Sequence, residues 1–193
     1  MSTEKNSNNT KPNIDYQIEI TTQTLERNLG FISNCDNKAS IILTAVGVLL
    51  TIILTSEGLA SIKDILKKSL SQITFLNFIY MFVFFSSVII LLSGILFLIS
   101  VLIARSGISE TKGSKNSLIF FGGINSFNKI TNYEKAIKKM DKKDLLDDLI
   151  SQIYINSKIA TKKYRRYNLG LKFTVIGFFL FIGVLLFGHY IYL

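Results

Sequence analysis

Three stretches of this 193-residue chain carry no charged side chain: residues 39–56, 69–104 and 173–193, of 18, 36 and 21 residues. A helix rises about 1.5 Å per residue and the hydrocarbon layer of a bilayer is about 30 Å thick, so roughly 20 apolar residues suffice to cross it. Two runs meet that length and the first falls at the short end of the range. Buried helices of a water-soluble domain rarely go so long without a charge. The expected fold is an all-α integral membrane protein: three transmembrane helices with a small helical cytoplasmic part, made of an amphipathic N-terminal helix and a long stalk helix.

The expected organisation is a disordered N-terminus over 1–13, a cytoplasmic amphipathic helix over 14–38, a first span over 39–56 and an external loop over 57–72. A second span follows over 73–104, then a basic cytoplasmic segment over 105–172 and a third span over 173–193. The first 30 residues hold no short apolar stretch ending in small residues, so no signal peptide is expected. Ser, Thr and Asn dominate up to Lys11, and the one Pro, Pro12, closes that lead-in. Cys35 is the one cysteine, which leaves no intramolecular disulfide to form.

Charge sets the expected orientation. Residues 1–38 carry a net −1, residues 57–72 a net +1, and residues 105–172 a net +9 from fifteen Lys/Arg against six acids. Cations near the ends of spans stay on the cytoplasmic side. Arg105, Lys112 and Lys115 follow the second span, and Lys158, Lys162, Lys163, Arg165, Arg166 and Lys172 precede the third. The N-terminus and residues 105–172 are therefore expected inside, the loop 57–72 and the C-terminus outside, with Tyr190 and Tyr192 at the outer interface.

Ile14, Ile18, Leu25, Leu29 and Ile32 recur at helical spacing and predict an amphipathic helix that runs without a turn signal into the first span. Asp36 and Lys38 mark the crossing level. Lys38 can extend to lipid phosphates, whereas a carboxylate gains nothing there, so Asp36 is expected to face protein, with a partner among the cations of 162–172. Within 105–172, the apolar "SLIFFGGINSF" at 117–127 is expected to be a short strand and turn, or a loop against the helices. Thr131 with Glu134 reads as a capping box for a short helix to about Met140. Asp141 with Asp144 opens the next helix, which keeps an apolar stripe from Leu145 through Leu149, Ile153, Ala160, Tyr164 and Tyr167 into the last span. Unbroken to residue 193, it would be roughly 75 Å long.

No catalytic constellation is found. His189, the one His, lies at the outer end of the third span and Cys35 at the inner end of the first, and the glycines of FFGG lack the spacing of a phosphate loop. Asp144, Asp147 and Asp148 read as a solvated helix face, with no His or Cys to complete a metal site. No enzyme activity, cofactor or metal is expected. Two features go further. "KKYRRYN" at 162–168 is first a positive-inside anchor, but its cations and rings also suit a phosphate and a base. Gly170, Gly177 and Gly188 fall nearly on one face of the last span, which suits a bundle or a subunit interface, or reflects ordinary glycine usage in spans.

The order of "CDNKASIIL", "FFGGI", "NYEKAI" and "LISQIYINSKIATKKYRRYNLG" resembles the transmembrane effector family of the Pycsar antiphage systems, over about residues 20–193. The resemblance implies a bacterial inner-membrane defence effector that works beside a pyrimidine cyclase. It implies activation by a cyclic pyrimidine mononucleotide, cyclic CMP or cyclic UMP, followed by damage to membrane integrity. Cys35 stands where that family often has Ala. With the resemblance in hand, the expected ligand-binding residues are Asp36, Lys38, Phe120, Phe121, Gly122, Arg165 and Arg166, and the expected helix-packing residues Gly170, Gly177 and Gly188. The lipid bilayer and further copies of the chain are the expected partners, with no nucleic acid polymer. The competing reading is a non-enzymatic membrane adaptor that recruits a cytosolic partner; a small transporter is disfavoured because the spans carry no charge.

Overall fold

The computed structural model describes residues 13–71, 74–103 and 117–192, and within them every regular element is helical. The order is α1 (Ile14–Ile53), α2 (Ser56–Ser71), α3 (Phe75–Leu102), α4 (Phe121–Ile124), α5 (Ile130–Lys139) and α6 (Lys142–Tyr192). The N-terminal lead-in, Arg105, Lys112 and Lys115 lie outside the described residues. Helices α1, α3 and α6 are each long and apolar enough to cross a membrane. The described residues form two units: one falls within residues 1–31 and 105–160, the other within 32–104 and 161–193.

The second unit holds the apolar runs. Its α3 buries Tyr80, Phe84, Ser87, Leu91, Gly94, Leu98 and Val101. Steps of four and three alternate along that row, a 3.5-residue period that keeps one seam of a helix against a partner. The partner is α6, and small residues decide the fit. A Cβ built on Gly177 would stand 2.5 Å from the backbone N of Leu91, and one on Gly170 2.9 Å from Cγ of Leu98. A Cβ on Gly94 would overlap the backbone N of Thr174, and one on Gly188 the hydroxyl of Tyr80. Residue numbers rise along α3 as they fall along α6 in constant register, so the two helices run antiparallel. The rings of Phe84 with Phe181 and of Phe97 with Phe173 meet at a tilt between the same two helices, at 6.0 and 5.9 Å between centroids. With lipid as apolar as Leu, close backbone approach through small residues is what draws such helices together.

Within the stretch expected as an external loop, 57–72, the chain is mostly helical, as α2. Gly58 makes the corner possible: a Cβ there would overlap the carbonyl of Ile53 at the end of α1. The N–H of Gly58 also bonds to Oγ1 of Thr55 at 3.3 Å, which satisfies one donor of the first turn.

The other unit is built from the first part of α1, α4, α5 and the first part of α6. The expected helix start at Asp141 forms: Oδ1 of Asp141 accepts from the N–H of Asp144 at 2.7 Å, and Oδ2 of Asp144 accepts from the N–H of Asp141 at 3.3 Å. The expected box at Thr131 does not form. Helix α5 begins two residues earlier, at Ile130, Lys129 stands at its N-cap without a side-chain cap bond, and Glu134 pairs with Lys138 instead. On α1, Leu29 is exposed, and Asn28 turns inward to donate to the carbonyl of Ile153 at 3.5 Å.

Candidate functional site

Asp36 sits in the interior of α1, one turn before the apolar run, where nothing breaks the helix. Its carboxylate takes both bonds from Nζ of Lys163 on α6, at 2.5 and 2.7 Å. The Lys163 side chain is only 7% exposed, and that of Asp36 is 33% exposed. Beside them Cys35, Ala39, Leu98 and Val101 form a core with no exposure, flanked by Ile42, Leu43, Tyr164 and Tyr167. A buried ammonium is tolerated only when a carboxylate faces it closely. The pair therefore fixes α1 to α6 at the edge of the apolar core.

The remaining cations of 162–168 point elsewhere. Arg165 is exposed, and so is Lys38. Arg166 is half-buried and lines a groove of about 350 Å³ with Ser93, Leu96, Phe97 and Ser100 of α3. Of the expected ligand residues, Asp36, Lys38, Arg165 and Arg166 belong to this unit, and Phe120, Phe121 and Gly122 to the other.

In that other unit the FFGG segment is neither strand nor irregular loop. It is one helical turn, α4, held by a residue expected to be solvated. Asp148 is half-buried, and its Oδ2 accepts from Oγ of Ser117 at 3.0 Å and from the N–H of Leu118 at 2.9 Å. Oγ of Ser117 in turn accepts from the N–H groups of Ile119 and Phe120, and Tyr133 donates its hydroxyl to the carbonyl of Leu118. The turn needs Gly123, because a Cβ there would overlap the carbonyl oxygen of Ser117. The rings of Phe120 and Phe121 meet at 4.4 Å between centroids. A recess of about 390 Å³ opens beside this anchor, lined by Ser117, Lys139, Asp144, Asp147, Asp148 and Ser151 among others. Sequence reasoning missed Ser117 and Asp148. No group of three or more His, Cys, Asp or Glu among the described residues is arranged to hold a metal ion.

Three membrane-crossing helices, two of them tied by a partly buried ion pair, on a chain that also carries a second helical unit, define a multi-pass α-helical membrane protein. Residues 20–189 match the Pycsar effector protein domain, PycTM, across both units. The chain belongs to that family and is a transmembrane effector of Pycsar antiphage defence. It is 31% identical to the Pycsar effector protein GmPycTM of Gulbenkiania mobilis over 177 residues, covering 85% of this chain and 89% of the relative. It is 30% identical to the Pycsar effector protein EcPycTM of Escherichia coli over 169 residues, covering 85% and 82%. No solved structure matches it.

Proposed function

We propose that this effector resides in the bacterial inner membrane as a homo-oligomer and carries out no catalysis. A cyclic pyrimidine mononucleotide, cyclic CMP or cyclic UMP, made by a partner pyrimidine cyclase, switches it to a state that impairs membrane integrity. The observation that carries this reading is the family match over residues 20–189, which takes in both the spans and the helical unit. The N-terminus and residues 105–172 face the cytoplasm, from the net +9 of that segment. Reporter fusions at Lys139 and at the C-terminus check this: activity of a periplasmic reporter at Lys139 contradicts it.

Among the residues proposed for the ligand, those of the membrane unit, Asp36, Lys38, Arg165 and Arg166, differ in role. Asp36 already faces Lys163 and serves by position. Exposed Arg165 supplies the fork for an anionic phosphate, which Lys cannot reproduce. A ligand can shift such a protein only by binding one state better than the other. Calorimetry on the detergent-purified chain with cyclic CMP, cyclic UMP and cyclic AMP is the test. Heat is expected with a pyrimidine nucleotide. Arg165→Ala is expected to weaken binding by about tenfold to a hundredfold, since a charged hydrogen bond contributes about 1.5–3 kcal/mol. Arg165→Lys keeps the charge that anchors the span and still loses the fork, and Arg166→Ala changes less. No heat with any of the three favours the adaptor instead.

A further inference from the structure

We infer that α2 is an interfacial helix that lies in the headgroup layer of the bilayer and binds anionic phospholipid through Lys63 and Lys67. The placement follows from its ends. Only two residues separate α2 from α1, a spanning helix, and α3, another, begins at Phe75. Both ends of α2 therefore belong at one membrane surface, and the corner at Gly58 allows no slack on the first side.

The side chains of α2 sort by face. Ile65 and Ser69 are buried within the unit, with Gly58, Ile62 and Leu66 partly so. Next to that face, Leu59 and Leu70 are 52% and 64% exposed. At about 100° per residue, Leu59, Leu66, Leu70 and Lys63 share an arc of roughly 60°, and Lys67 follows within about 40° more. Asp64 and Glu57 lie about 130–150° from the centre of that arc. Apolar side chains beside cations, with the acids turned away, complement acyl chains beneath an anionic headgroup layer. The exposed leucines also continue the apolar surface of the spans at either end, where Ile52, Leu54, Phe75 and Leu76 are exposed. On the far side of the helix, Nζ of Lys68 donates to the backbone carbonyl of Tyr192 at 2.6 Å, and the Tyr192 hydroxyl donates to Oδ1 of Asn77 at 2.5 Å. Helix α2 thereby ties the end of α6 to the start of α3, and the lipid surface holds α2.

Nitroxide labels on Leu59→Cys, Leu70→Cys and Asp64→Cys in the full chain test this, with wild type as the control because Cys35 is fully buried. The chain is reconstituted into phosphatidylcholine with and without phosphatidylglycerol. Labels at 59 and 70 are expected to meet dissolved oxygen and to be shielded from a water-soluble nickel chelate, with the reverse at 64. Phosphatidylglycerol is expected to shift the label at 70 deeper, and Lys63→Gln with Lys67→Gln to abolish that shift. Equal nickel access at 59, 64 and 70 overturns the interfacial placement. Closure of 59 and 70 to both reagents assigns this face to a second copy and also overturns it. An unchanged depth on adding phosphatidylglycerol overturns the anionic headgroup site.

Discussion

Asp36→Ala is expected to destabilise the membrane unit by about 3–5 kcal/mol, because it leaves the Lys163 ammonium buried without its counter-charge. The asymmetry of the pair sharpens the expectation. Lys163 is 7% exposed and Asp36 33%, so Lys163→Met, which strands the more solvated partner and fills the same volume, costs less than Asp36→Ala. The double variant Asp36→Ala/Lys163→Met removes both charges and is expected to recover part of the loss, since an apolar replacement of a buried pair is often close to neutral. Unfolding midpoints in detergent read the order, and the amount of chain in the membrane fraction controls for insertion. Wild-type stability in Asp36→Ala would mean that the Lys163 chain swings out to solvent and that the pair holds nothing.

The second large effect concerns the α3–α6 seam. Gly177→Ala places a methyl 2.5 Å from the backbone N and 2.7 Å from Cα of Leu91. These are backbone atoms and cannot step aside as a flexible side chain would, so the helices must part along the seam. The cost is expected to reach or exceed the usual overpacking range of about 1–3 kcal/mol. Gly94→Ala is expected to do the same against Thr174. Gly47→Ala and Gly183→Ala, where nothing stands within 4 Å of the added carbon, are expected to be neutral or slightly stabilising. Thermal unfolding in detergent separates the two groups, and equal midpoints for Gly177→Ala and Gly183→Ala would refute the packing account.

The spans were legible because charge is excluded from them by the lipid itself, and the run of α1 through Asp36 because no turn residue interrupts it. The partner of Asp36 was legible as a segment and not as a residue. Lys162 and Arg166 share one face of the helix while Lys163 and Arg165 point to two others, and only a packing phase chooses among them. That phase was present: Lys163 stands seven residues before Gly170, as Gly170 stands seven before Gly177. The contact face of α3 was hidden because that helix is apolar all round, so a hydrophobic pattern cannot tell a lipid-facing Leu from a buried one. Its small residues fall in two rows seven apart, Ser87 with Gly94 on the seam and Ser86, Ser93 and Ser100 beside it, so they do not single out the contact face either. Helix α2 was obscured by its charges, although Ile62, Ile65, Leu66 and Ser69 already shared a face. The FFGG turn was unreadable because its anchor, Asp148, is remote in sequence and looks like one of three solvated acids.

In the proposed function a cyclic pyrimidine nucleotide turns this membrane protein against its own bilayer. Membrane potential, followed with a voltage-sensitive dye in bacteria that express the chain while cyclic CMP or cyclic UMP synthesis is induced, tests it most directly. Depolarisation and entry of an impermeant dye are expected only when chain and nucleotide are present together, and not with Arg165→Ala at equal membrane level. An unchanged potential in cells making either nucleotide, with the chain correctly inserted, would contradict the account.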